Sequence, residues 1–269
     1  MNTKNQTPSS NFWLAAFTLC RRELVRFYRQ RSRMIGVIGS PLIFWFLIGS
    51  GLGGSFRHPN APPNMNYLEY FFPGTIVLII LFTSIFSTIS IIEDRKEGFL
   101  QSVVVAPVSR ASIALGKILG GTFLALAQAL IMLLIAPFIG ITMSVLSLLL
   151  VILVMFVIAF GLTGLGFLIA WRMDSTQGFH AIMNLFLIPL WLLSGALFPA
   201  SGASDWLSNV MMVNPLSYGI ASLRQALYLS GNVATHELSP LPLSLGITFA
   251  FALVTFVASA FIVKRTELA

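Results

Sequence analysis

Charge is scarce in this sequence. Of 269 residues, 9% are Asp, Glu, Lys or Arg and 57% are hydrophobic, whereas an ordinary soluble domain carries about 25% charged residues. Mean hydropathy is +0.88. That much apolar surface cannot be hidden in one core, so lipid must cover the outside of an all-α integral membrane protein. Cysteine is nearly absent. Cys20 alone cannot form an internal disulfide, and no Cys/His group has metal-ligand spacing, so redox and zinc chemistry are not expected. A carboxylate within the apolar runs is also missing. Ion-coupled carriers keep one near the midplane, so any work done by this chain must be driven from outside the bilayer.

A phosphate-binding loop is missing as well. Gly116-Lys117 resembles the end of one, but Ala111 stands where its first Gly belongs and Ile118 where Ser or Thr belongs. Gly49-Ser50-Gly51-Leu52-Gly53-Gly54 fits a GxGxxG spacing, yet it ends an apolar run instead of joining a strand to a helix, and reads as a helix exit. The chain therefore has no nucleotide site of its own. Gly116 and Gly120, with Gly161, Gly164 and Gly166, read as close helix packing, while Gln128, His180 and Asn184 read as interhelical hydrogen-bonding groups.

What is present is length of apolar run. A bilayer core of about 30 Å needs roughly 20 residues of helix, and six runs meet that need, at about 34–52, 73–92, 117–140, 143–171, 179–198 and 241–263. Sixteen basic residues exceed nine acidic ones by seven. Seven basic residues precede the first run, Arg95, Lys96, Arg110 and Lys117 lie between the second and third, Arg172 follows the fourth, and Lys264 and Arg265 follow the last. Only Arg57 and Arg224 fall on the other side. The positive-inside rule then places both termini in the cytoplasm, and the basic excess reads as topology and lipid contact, not nucleic-acid binding.

Residues 1–33 are too charged for a cleaved signal and are expected to stay. Within them Trp13, Phe17, Cys20, Leu24 and Phe27 recur at helical spacing, opposite Arg22, Arg26, Arg29 and Arg33, which predicts an amphipathic helix lying on the inner leaflet. The segment 199–240 is semi-apolar and broken at Asn214-Pro215. It predicts short re-entrant helices on the far side, whose backbone must be buried in protein.

The densest charge after the N-terminus, Glu93-Asp94-Arg95-Lys96-Glu97-Gly98-Phe99-Leu100, leads through an apolar stretch to Ala106-Pro107-Val108-Ser109-Arg110. A charged turn, a short apolar helix and a Pro stop make a knob able to dock into a soluble partner. These residues resemble the type-2 ABC transporter permeases, bacterial drug, lipid and polysaccharide exporter subunits among them. The family's pattern after its second helix is matched here at Glu93, Glu97, Gly98, Leu100, Pro107, Val108, Ser109 and Arg110. Phe99, Gln101 and Ala106 depart from the usual Thr, Glu and Thr. A second signature is similar at Pro189, Leu193-Ser194-Gly195, Phe198-Pro199, Trp206-Leu207, Asn214-Pro215-Leu216-Ser217-Tyr218 and Arg224, with Ser204-Asp205 in place of the usual Leu-Pro.

The resemblance implies six transmembrane helices behind an amphipathic entry helix, a type V-like exporter fold occupying 34–265. It implies a coupling helix at 93–110 that seats in an ATP-hydrolysing partner, with two ATPase copies serving a homodimer of permease chains in the bacterial inner membrane. ATP and magnesium would belong to that partner, with no cofactor, metal or catalytic residue in this chain. The Leu193 to Arg224 region, with Pro189, would form an outer gate and part of the dimer contact. Ser194 reads as a packing hydroxyl and Arg224 as a donor to re-entrant carbonyls. Two other readings compete with this one. An intramembrane serine protease needs a Ser–His pair, but His180 precedes Ser194 by fourteen residues on the same run, about 21 Å along the axis. A non-transporting anchor subunit would bind its partner without altering the partner's ATP hydrolysis.

Overall fold

A computed structural model describes residues 8–52, 66–106, 108–200, 203–229 and 239–265. Among these residues every regular element is helical: α1 (Pro8–Tyr28), α2 (Arg31–Leu52), α3 (Tyr67–Lys96), α4 (Phe99–Val105), α5 (Arg110–Leu133), a 3-10 turn (Ala136–Ile139), α6 (Val145–Trp171), α7 (Thr176–Leu192), α8 (Asp205–Val213), α9 (Pro215–Leu227) and α10 (Leu241–Arg265). Helices α3, α5, α6 and α10 are long and apolar enough to cross a bilayer. The chain is a multi-pass membrane protein. The apolar stretch of α2, Ile35–Gly51, is shorter, and α7 has 17 residues, the lower limit for a span.

Helix α3 is the axis of the bundle. Every residue from Tyr70 to Leu81 is buried, as suits a helix that is apolar on all sides. Helices α5 and α6 pack along it, α2 and α7 touch it, and α10 closes over α5 and α6. Hydrophobic attraction between helices is weak in lipid, so close approach and hydrogen bonds must hold such a bundle together. A Cβ on Gly164 would lie 2.8 Å from the Thr255 hydroxyl, one on Gly166 2.8 Å from that of Thr88, and one on Gly161 2.8 Å from the Phe251 ring. Thr83 donates to Gln128 at 2.6 Å and Thr163 to Ser84 at 3.1 Å, tying α3 to α5 and α6 from within.

Several boundaries differ from those expected of the sequence. Helix α3 starts at Tyr67 and runs to Lys96, so Glu93 and Asp94 form its last turns and not a loop. Its 30 residues span about 45 Å, against about 30 Å of hydrocarbon, so its charged end projects beyond the apolar layer. Helix α5 begins at Arg110, which moves Lys117 from the edge of a span to two turns inside a helix. Helix α7 stops at Leu192, because the chain turns at Ser194 and Gly195, with φ +80° at the glycine. Arg57 lies outside the described residues.

Glycine placement makes a direct prediction. A Cβ at Gly116 would meet the Ala16 carbonyl oxygen at 2.6 Å, whereas one at Gly246 meets nothing within 4 Å. Gly116→Leu is expected to lower thermal stability in detergent by about 1–3 kcal/mol through overpacking. Gly246→Ala should leave it unchanged or raise it by about 0.5–1 kcal/mol through helix propensity. Melting curves of the two variants check this.

Candidate functional site

The site at the α4 end is built around one carboxylate. Asp94 sits where α3 crosses α1 and α5, and it has no solvent exposure. A bare carboxylate there would be untenable. Arg22 of α1 grips it with both guanidinium nitrogens at 2.6 and 2.7 Å, Arg26 adds a bond at 2.6 Å, and Lys117 of α5 donates to its other oxygen. Lys117 also donates to buried Glu23 at 2.7 Å, and Arg26 pairs with Glu93 at 2.8 Å. Three cations therefore balance three carboxylates in one cluster shared by α1, α3 and α5, with Glu97 at its rim 3.5 Å from Arg26.

Sequence spacing brought Arg22 and Arg26 to a helix face but did not say what that face meets. They were expected opposite the apolar stripe. Instead they turn into the protein, and α1 buries Ala16, Leu19, Cys20, Glu23 and Phe27. The glycines at 116 and 120 permit this, since a Cβ on Gly120 would lie 2.7 Å from Glu23 Cβ. The one missed signal was Glu23, an acid within an otherwise basic segment. Asp94 pulls the already high pKa of Arg22 higher through its hydrogen bonds, although burial opposes this. Burial, helped by Glu23, raises the Cys20 thiol above its ordinary value, which keeps it protonated and slow to react near neutral pH.

Helix α4 hangs on this cluster. Gly98 carries φ +75°, the left-handed turn that reverses the chain after Glu97 and that glycine adopts most easily. Leu100 is buried beneath α4, Arg22 lies 3.7 Å over the Phe99 ring, and Arg110 donates to the Val104 carbonyl at the other end. Phe99, a departure from the family pattern, is thus a direct link between α4 and the Asp94 cluster. Val105, by contrast, is 85% exposed. Val108 is half-buried, and Ser109 precedes the first turn of α5. Pro107 lies outside the described residues. Arg95, which the sequence did not single out, reaches across to the α6–α7 corner, bonding Met173 O and Asp174 at 3.1 Å and the Trp171 carbonyl.

The second group of expected residues gathers at the opposite end of α3. Gly195 turns its carbonyl toward Arg224 at 3.1 Å and the Tyr70 hydroxyl at 3.2 Å, and the Arg224 guanidinium lies 4.2 Å from the Tyr70 ring centre. Asn214 donates to the carbonyls of Leu190 and Leu193 at 2.7 and 2.8 Å, closing the end of α7, while its own oxygen accepts from Leu216 N at 2.9 Å. Pro215 starts α9, and Tyr218 donates to Met212 O at 2.7 Å. Pro189 lies within α7, and Phe198 and Pro199 follow the turn half-buried. Two partners the sequence did not flag are Tyr70 and Trp191, whose indole donates to Gly74 O at 2.8 Å. Ser194 gives its hydroxyl to the Trp191 carbonyl, and the His180 ring rests 5.5 Å from that of Phe86. The two do not form a catalytic dyad.

Removing Lys117 would leave Glu23 and Asp94 short of a cation in a dry site. Lys117→Met is expected to destabilise the chain by about 3–5 kcal/mol and to free α1 from α5. Maleimide labelling of Cys20 at neutral pH, slow in the parent chain, should then rise at least about tenfold, since labelling tracks the population of the open form.

Comparison with known proteins agrees with this architecture. The family model described as ABC-2 type transporter matches residues 15–228. The transport permease ycf38 of Cyanophora paradoxa is 29% identical over 225 residues, covering 82% of this chain and 77% of that protein. The multidrug ABC transporter permease YbhR of Escherichia coli K12 is 29% identical over 163 residues, 58% of this chain and 43% of that longer protein. Nodulation protein J of Sinorhizobium fredii is 25% identical over 209 residues, 76% of this chain and 78% of that protein. The matched region runs from α1 to the end of α9, so it contains both ends of the bundle described above. This chain belongs to the ABC-2 type transporter family and is a permease of that family.

Proposed function

We propose that this chain is the membrane-spanning half of an ATP-driven exporter in a bacterial inner membrane. In this reading α2, α3, α5, α6, α7 and α10 are the six spans, both termini are cytoplasmic, and α4 is the coupling helix. The observation that carries it is the contrast within α4: an apolar side chain exposed at Val105 on a helix held at both ends, by Leu100 and the Arg22–Phe99 contact and by Arg110 on the Val104 carbonyl. A firmly held helix that exposes an apolar side chain can pass movement of a docked partner to α1, α3 and α5 together. That partner is an ABC ATPase, which binds ATP and magnesium and supplies energy this chain cannot. Two ATPase copies would serve a homodimer of permease chains, and closure of the ATPase pair would shift the permeases between inward- and outward-open states.

Helix α7 supports the dimer. It buries Phe179, Met183, Leu187 and Trp191 but leaves Leu185 and Phe186 exposed. An apolar groove between α7 and α8, lined by Phe186, Pro189, Leu193, Val210 and Val213, continues that face toward the Gly195 turn. There the Arg224-braced loop would act as the outer gate. The substrate class in this reading is an amphipathic drug, a lipid or a glycan, moved out of the cytoplasm or inner leaflet.

Two experiments test this. Purified in mild detergent from its native host, the chain should bring down an ATPase subunit one to one, and Val105→Asp with Glu97→Ala should reduce recovery at least about tenfold, the loss of an apolar anchor. An intact, folded chain with no ATPase, or with undiminished ATPase in the variant, overturns the reading. For the dimer, Phe186→Cys in a Cys20→Ser background should cross-link to itself in membranes, whereas Leu253→Cys on α10, also exposed, should not. Equal cross-linking at both positions would remove α7 as the contact.

A further inference from the structure

The end of α3 opposite α4 carries a carboxylate that the bundle does not satisfy. Among the described residues Glu23, Glu93, Asp94, Glu97 and Asp174 each have a cation within ion-pair distance, and Asp205, on the first turn of α8, is exposed. Glu69, on the first turn of α3, is half-buried and has neither an ion pair nor a side-chain hydrogen bond among them. Arg224 donates to the carbonyls of Tyr70 and Gly195 and does not pair with it. The carboxylate rests instead against the turn that joins α5 to α6. A Cβ at Gly140 would lie 3.4 Å from one of its oxygens, and φ there is +88°, so glycine keeps the approach open where a side chain would be strained and crowded. At the end of α9 the Tyr228 hydroxyl is buried with no hydrogen-bond partner. Burial pushes this phenol above its ordinary pKa, the nearby Glu69 charge pushes the same way, and Arg224 opposes both. The phenol therefore keeps its proton, and a charged and a neutral acceptor stand near each other with neither used by the protein.

We infer that Glu69, Tyr228 and the open turn at Gly140 form a binding site for the primary ammonium of an aminophospholipid headgroup, of the phosphatidylethanolamine type, in the leaflet opposite α4. The inference goes beyond the exporter reading and needs from it only that α5 and α6 cross the membrane, which sets their connection at that face. The donor set selects the ligand. A carboxylate beside a phenol oxygen offers negative charge and two acceptors, and a primary ammonium brings positive charge and three N–H donors. A metal ion would find one carboxylate where a calcium site needs six or more oxygens, and no group of three or more His, Cys, Asp or Glu able to hold a metal occurs among the described residues. The surroundings select a lipid over a soluble amine. Leu134, Phe138 and Val145, on and beside the α5–α6 connection that holds Gly140, are exposed, so an apolar rim with an aromatic ring surrounds the carboxylate, as at the depth where headgroups meet acyl chains. A headgroup amine can reach Glu69 there while its tails lie along that rim.

The test uses the full chain, stripped of lipid in mild detergent and offered an equal mixture of phosphatidylethanolamine and phosphatidylcholine with identical tails. Native mass spectrometry reads which lipid is retained. Phosphatidylethanolamine should be retained at least about tenfold over phosphatidylcholine, whose quaternary ammonium has no N–H to donate, the scale of a charge-assisted hydrogen bond. Glu69→Gln should abolish that preference, and Tyr228→Phe should lower it about fivefold, the scale of one neutral hydrogen bond. Asp205→Asn, which removes an exposed acid, should leave it unchanged. In lipid-free detergent Glu69→Gln should melt with the parent chain, since it breaks no bond, and Tyr228→Phe tests the site by a second route. Retention of the two lipids in equal amounts, or a preference untouched by Glu69→Gln, overturns the inference. So does an equal loss in Asp205→Asn, which would make the effect one of surface charge. Phosphoethanolamine without tails should compete only weakly, and displacement of the lipid by it at equal concentration overturns the lipid assignment in favour of a soluble amine. None of these outcomes alters ATPase recovery through α4, so this inference and the exporter reading fail separately.

Discussion

A fully buried carboxylate cannot stand alone, and the charged end of this bundle is organised by that constraint. Asp94 forces three cations from two other helices to converge on it, and those cations bring Glu23 and Glu93 with them. The cost of burying Asp94, Glu23 and Lys117 is offset only while their partners are in place. The cluster is therefore better understood as a registration device than as a source of net stability. It fixes how α1 and α5 sit against α3, and displacement of one helix takes partners away from charges on the others.

The geometry of α4 follows from that lock. A seven-residue helix has little stability of its own, yet it is held at its N-terminus by the Gly98 turn, at its base by Leu100, at its C-terminus by Arg110, and sideways by Arg22 over Phe99. Arg22 is shared between Asp94 and Phe99, so the coupling element and the charge cluster have a side chain in common. Arg95 extends the same end of α3 to the α6–α7 corner. One turn of α3 thus reaches α1, α5, the end of α6 and the connection that leads to α7. Motion at α4 has rigid routes to most of the bundle and a lightly packed helix, α7, at the end of one of them.

The opposite end of α3 solves a different problem. There the chain leaves helical geometry at Ser194–Pro199, and irregular backbone near lipid must find its hydrogen bonds within the protein. Arg224, Tyr70, Tyr67 and Asn214 donate to the carbonyls of Gly195, Leu197, Leu190 and Leu193. Gly74 lets the turn come close, with a hypothetical Cβ only 2.8 Å from the Ala196 carbonyl oxygen. One end of the bundle is held by paired charges and the other by side chains serving backbone oxygens.

The sequence by itself determined that this chain lives in a membrane, because composition alone leaves no other solvent for its apolar surface. It also determined the order of the apolar runs, the short helices about Asn214-Pro215, and the two family signatures, because these are local patterns of period, break and motif. Spacing on α1 revealed a two-faced helix. It could not say which arginines would meet acids, since Glu23, Asp94 and Lys117 are far apart in the chain and each looks like an ordinary boundary charge. Helix ends at Lys96, Arg110 and Leu192 were likewise illegible, because hydropathy marks where residues prefer lipid and not where hydrogen bonding stops. Only tertiary packing decided which charges would be buried together. That depended on Gly116 and Gly120 letting α1 approach α5 closely enough for Lys117 to reach both acids, a matter of distance across helices that no local pattern contains.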